Sequence, residues 1–145
     1  MDPMSKNVSA FLERLSRVFI DGSLSEVAEN FVYPMPFYSN GGLAVFGSAD
    51  TLIEGLTLYR DAVRKARIRK IVPRIVAHGV PSRGYSNVWV EWDHLDVLGL
   101  CKRTSQVRYV LFQDASSLFP KIEMVDYTVS AFPEVQDHFP MMATA

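Results

Sequence analysis

Val88-Trp89-Val90-Glu91-Trp92-Asp93-His94-Leu95-Asp96 is the stretch on which the fold reading turns. Successive side chains of a strand point to opposite faces, so one face carries Val88, Val90, Trp92, His94 and Asp96 and the other Trp89, Glu91, Asp93 and Leu95. The first set opens apolar and is assigned inward, which makes Trp92 the buried tryptophan and Trp89 the outer one. The period of two extends on both sides and predicts four strands near residues 69–79, 86–97, 104–113 and 121–130. Pro81-Ser82-Arg83-Gly84 and Asp114-Ala115-Ser116-Ser117 read as turns, and Leu98–Lys102 as the least defined connection. No helical pattern intervenes, so these strands are expected to form an antiparallel meander.

Upstream the period changes to that of helices. Val8, Phe11, Leu12, Leu15, Val18 and Phe19 recur at three- and four-residue spacing and form one apolar stripe. Asp21-Gly22 breaks it, and Ser23 with Glu26 predicts a capping box at a short second helix bearing Leu24, Val27, Ala28 and Phe31. Pro34 and Pro36 exclude helix in the following segment, and Pro36 suggests an edge strand. Phe37–Ser39 and Leu43–Phe46 around Asn40-Gly41-Gly42 predict a hairpin. Ser48 then caps a long helix whose buried face holds Leu52, Leu56, Tyr59, Val63 and Ala66.

The order helix, short helix, hairpin, long helix and four antiparallel strands predicts an α+β fold, with helices gathered on one side of a strongly curved, mainly antiparallel sheet. Across roughly residues 4–132 this order resembles the nuclear-transport-factor-two-like superfamily, the cone fold that includes ketosteroid isomerase and the SnoaL-like polyketide cyclases. The resemblance rests on the first helix over Phe11–Ile20, the Tyr33–Phe46 hairpin, the Gly47-Ser48-Ala49-Asp50 helix start and the closing strand Lys121–Tyr127. The length fits a single domain, placed over 1–138, and residues 139–145 read as a C-terminal tail. The resemblance implies an internal pocket between sheet and helices. The implied function is a small-molecule pocket protein. Either it is a cofactor-independent isomerase, cyclase or dehydratase working by proton transfer, or it is a non-catalytic ligand-binding or protein-interaction module.

Within such a pocket His94 is the natural acid–base group, because its unperturbed pKa lies near neutrality. Asp96, on the same strand face, is a candidate partner, although His94 also reads as a strand-end residue paired with Asp93 or Asp96. Asp126 is a second candidate carboxylate. One register places it inward with Ile122 and Met124, and the other buries Val125, Tyr127 and Val129 and leaves it in solvent. Tyr38, Tyr59, Tyr109 and Trp92 are the expected ligand contacts, since tyrosine hydroxyls on apolar walls can hold a carbonyl or enolate oxygen. The expected ligand is a small apolar or carbonyl-bearing molecule. Ketosteroid isomerases carry an acidic base on the hairpin, and residues 33–46 contain no Asp or Glu.

Composition narrows the partners. The chain has 145 residues with 15 basic against 16 acidic side chains, a near balance that argues against a nucleic-acid binder. Seven of the basic residues crowd into positions 60–74, where they read as a solvated face without interleaved stacking aromatics. His78, His94 and His138 share no metal-ligand spacing, and no phosphate loop or dinucleotide fingerprint is present, so no metal or cofactor is expected. No apolar run approaches the roughly 18 residues needed to span a bilayer, and the N-terminus has no secretory layout. The lone Cys101 excludes an internal disulfide and points to a cytoplasmic setting. Trp89, Val110 and Phe112 point outward once the inner set is fixed, which predicts a homodimer through the outer face of the sheet.

Overall fold

The alternation over residues 88–94 sets the inner face of a six-stranded sheet. The computed structural model describes residues 3–39 and 42–140. Its elements run α1 (Pro3–Asp21), α2 (Leu24–Ala28), β1 (Met35–Ser39), β2 (Gly42–Phe46), α3 (Ala49–Lys65), β3 (Lys70–His78), β4 (Tyr85–Leu95), β5 (Cys101–Phe112), β6 (Lys121–Val129) and α4 (Pro133–Gln136). The sheet order is β2-β1-β6-β5-β4-β3. The four long strands form the expected antiparallel meander. The hairpin joins it through β1, which runs parallel to β6 with Phe37 opposite Val125. This is the α+β cone, a curved and mainly antiparallel sheet with α1, α2 and α3 laid over its concave side.

Helix ends follow the sequence with one change. Ser48 and Thr51 make a reciprocal capping box at the start of α3. Ser23 caps α2 by accepting from the Ser25 N–H, in place of the expected box with Glu26. Two members of the basic cluster serve the fold: Arg60 donates to the Gly22 carbonyl at 3.0 Å and Arg64 to the Ile20 carbonyl at 3.3 Å. Both carbonyls lie at the C-terminal end of α1, where the helix dipole favours cations. A third, Arg74, pairs with Glu91 and Asp93 on the outer face of the sheet.

Three expectations are corrected here. Pro36 does not lie on an edge strand, since β2 takes the edge. Its missing N–H is tolerated because the parallel pairing of β1 with β6 begins only at Phe37. The two registers weighed for β6 are both partly right. A register shift opposite Val110 and Leu111 leaves Glu123 out of the pairing, so Ile122 is buried from one register and Val125 from the other. Of the tail expected over 139–145, Phe139 and Pro140 are instead held on the fold. The Phe139 ring packs edge-on against Phe37 and Phe46, with centroids 5.1 and 5.2 Å apart, and the Pro140 carbonyl accepts from the Val45 N–H. Residues 141–145 lie outside the described residues, as do Asn40 and Gly41 of the expected hairpin turn. The turn before β4 has Gly84 at φ +85°, where a Cβ would meet the Phe112 ring at 2.8 Å, so glycine is required there.

Burial follows from these registers. Val88, Val90, Trp92, Val107, Tyr109, Leu111, Ile122 and Val125 meet Phe11 and Leu12 of α1 and Leu52 and Val63 of α3 in one core. Each such side chain contributes about 1.5–3 kcal/mol when fully withdrawn from water. Trp92 is 7% exposed and Trp89 40%, as the alternation predicts.

Candidate functional site

Between sheet and helices the packing leaves a cavity of about 120 Å³. α1 supplies Leu15 and Phe19 to its wall, α3 supplies Gly55 and Tyr59, β4 supplies Trp92 and His94, and β5 supplies Tyr109. Gly55 is there for space: a Cβ would lie 3.1 Å from Phe46 and 3.2 Å from Phe139, both of which press on α3.

His94 is fully buried. Its Nδ1 lies 3.0 Å from the Trp92 carbonyl oxygen, which can only accept, so Nδ1 carries the proton. Nε2 is therefore the free acceptor, and the Tyr59 hydroxyl donates to it at 2.8 Å. Burial holds the His94 pKa below its ordinary value, keeping the ring neutral. Burial likewise pushes the Tyr59 phenol well up, so it remains a hydrogen-bond donor. Phe132 packs against both rings, with centroids 5.5 Å from Tyr59 and 5.8 Å from His94. A second polar pair stands nearby on the wall: the Trp92 indole N–H donates to the Tyr109 hydroxyl at 2.8 Å.

The structure divides the residues expected in the pocket. His94, Tyr59, Trp92 and Tyr109 line one cavity. Asp96, Asp126 and Tyr38 do not. β4 ends at Leu95 with a register shift, and Asp96 turns into the following loop, where its carboxylate accepts from the Leu98 and Leu100 N–H groups and pairs with Lys102. Those backbone N–H groups, that of Leu100 first, hold its pKa below the usual carboxylate value. Asp126 faces outward beside Arg108 at 3.5 Å, as the β6 register requires. Tyr38 is 41% exposed because its neighbours Phe37 and Ser39 take the inner positions of β1. No carboxylate lines the cavity among the described residues, and no group of three or more His, Cys, Asp or Glu side chains there is placed to hold a metal.

Sequence reading missed the contribution of residues 131–139. The Ser105 hydroxyl accepts from the Ala131 N–H at 2.9 Å, Arg103 donates to the Ala131 carbonyl at 2.9 Å, and its guanidinium lies 4.4 Å from the centre of the Phe132 ring. So anchored, the chain enters α4, which brings Gln136 and then Phe139 to the cavity. The signal was present: Phe132, Val135, Gln136 and Phe139 have the spacing of one helix face, with Pro133 at the first helical position.

No family model matches the chain, and no curated protein does. Solved structures match along nearly all of it. A protein of unknown function with a cystatin-like fold from Nostoc punctiforme PCC 73102 is 8% identical, with a TM-score of 0.66 over 90% of this chain and 94% of that one. A nuclear-transport-factor-two-like protein of unknown function from Shewanella oneidensis MR-1 is 14% identical, with a TM-score of 0.62 over 86% and 98%. A Catenulispora acidiphila structure in complex with S-DNPA is 14% identical, with a TM-score of 0.61 over 86% and 92%. The chain thus has the nuclear-transport-factor-two-like, cystatin-like fold that its element order predicts. At such identities the likeness concerns the fold alone.

Proposed function

We propose that the cavity takes up a small, mainly apolar, carbonyl-bearing molecule and that His94 and Tyr59 move a proton on it without a cofactor. The hydrogen bond from the Tyr59 hydroxyl to His94 Nε2, set in an apolar wall, carries this reading. Tyr59 turns its O–H from His94 to the ligand's carbonyl oxygen, which uncaps Nε2. The C–H bond next to the carbonyl then breaks, its electron pair forms the enolate that Tyr59 stabilises, and the proton goes to Nε2. Burial disfavours the imidazolium, so the proton returns to carbon. Return to a different carbon is isomerisation, and cyclases and dehydratases share the first step.

The absence of a carboxylate from the wall, among the described residues, favours a second reading, binding without chemistry. One experiment separates the two. In D2O, acetophenone is titrated into the protein and its methyl protons are followed by NMR. Shifts at the Trp92 indole together with protein-dependent deuterium uptake, lost in His94→Gln and slowed in Tyr59→Phe, support proton transfer. Binding without uptake leaves the binding module.

Self-association through the outer sheet face belongs to the same proposal, on the ground that Trp89, Tyr85 and Val129 remain exposed there. A cytoplasmic setting is consistent with the single, exposed Cys101. Among the described residues no helix is long and apolar enough to cross a membrane.

A further inference from the structure

Gln136 is 2% exposed, and its Oε1 has no hydrogen-bond partner. A buried amide oxygen without a partner is costly to the fold, and native interiors hold few. Several features of this chain bring Gln136 to that place. Ser105 and Arg103 fix Ala131, Phe132 packs on Tyr59 and His94, and α4 then carries Gln136 into the wall of the cavity those rings share. A water would be a poor partner, because it needs two to four polar groups, and on this wall Tyr59 is already bonded to His94, Trp92 to Tyr109 and Ser16 to the Ile71 carbonyl. A leucine or methionine would fill the position without the penalty. Sites that bind ligands keep such groups at a cost in stability.

We propose that Gln136 Oε1 is the hydrogen-bond acceptor for a hydroxyl or N–H on the bound molecule, so that the cavity selects a ring-sized apolar compound that bears one donor in addition to the group held by Tyr59, with phenol the simplest probe of that donor. This rests on the reading of the cavity as a ligand site. It adds a second polar point, on α4, to the Tyr59–His94 pair. The size agrees: a cavity of roughly 150 Å³ lined by aliphatic and aromatic groups accepts benzene, and this one measures about 120 Å³.

The test uses the full chain with toluene, phenol and benzaldehyde, their affinities read from the Trp92 indole N–H signal. Phenol is expected to bind about tenfold more tightly than toluene, the value of one buried hydrogen bond. Gln136→Leu and Gln136→Met should each reduce phenol to the level of toluene, leave toluene unchanged, and melt at or above the temperature of the parent protein. If phenol and toluene bind alike, or the preference survives in both variants, Gln136 is not the acceptor, while toluene binding still upholds the cavity. Benzaldehyde becoming the Gln136-dependent ligand would show the amide offering its NH2 group and overturn the donor assignment. A fall in melting temperature in both variants would show that the amide already has a partner, which also overturns it. If the folded protein binds none of the three, the cavity reading falls and takes this one with it.

Discussion

His94 is the residue at which sequence and surroundings meet most directly. Alternation along β4 was enough to turn it inward beside Trp92, because a strand has only two faces and the other was charged. Asp96 has the same parity in the sequence, but the strand ends at Leu95, one residue short of it. Loop N–H groups then claimed its carboxylate, and no alternation rule can foresee that competition. The Tyr59 partnership was equally hidden, since it joins α3 to β4 across 35 positions. The neutral state of His94 has a measurable consequence. Its folded pKa lies below the ordinary value of 6.5 because burial penalises the charged ring. Between the two values the unfolded chain binds the extra proton, so stability rises with pH there. The contribution is complete above about pH 6.5 and is lost as pH falls towards the folded value. Urea midpoints measured between pH 7.5 and pH 5 should decline through that window in the parent protein, and the decline should shrink in His94→Gln. An unchanged slope in the variant would mean that His94 is not held neutral.

Elements were more legible than residues, and the exceptions have physical causes. Helices α1 and α3 and the four long strands carry enough periodic residues for their pattern to outvote local noise. β6 has a bulge at Glu123, so no single parity describes it, and Asp126 could be placed only once β5 was known. α4 is one turn long and stable only through tertiary contacts. The most telling of these is Ser105, which is fully buried and whose hydroxyl receives the Ala131 N–H. Ser105→Ala leaves that N–H without a partner and should cost about 1–3 kcal/mol. Hydrogen exchange should quicken first in residues 131–139 and leave β4 and β5 protected. Uniform loss of protection across the sheet would mean that the segment is not separately anchored.

At the scale of the whole molecule, the sheet's convex face decides whether the chain acts alone. Trp89, Tyr85 and Val129 are apolar and exposed there, but the face also holds the pairing of Arg74 with Glu91 and Asp93 and the contact of Arg108 with Asp126. A self-complementary contact would have to set the first group over its own copy while leaving the second hydrated. Light scattering over a dilution series should then give about twice the 16.4 kDa chain mass, and Trp89→Glu should return the monomer with its fold intact. A monomer at every concentration would end the dimer proposal. The cavity has a consequence of another kind. Unfolding lets solvent fill a void that the folded chain holds open, so the disordered state occupies less volume. Hydrostatic compression therefore favours unfolding, with volume changes for proteins of roughly −20 to −100 mL/mol that scale with the voids lost. A bound guest occupies that space beforehand. High-pressure fluorescence of Trp92 should accordingly show the empty protein yielding at lower pressure than the phenol-saturated one. Part of that difference should appear as a smaller volume of unfolding, which distinguishes a filled void from simple mass action by a ligand bound at the surface.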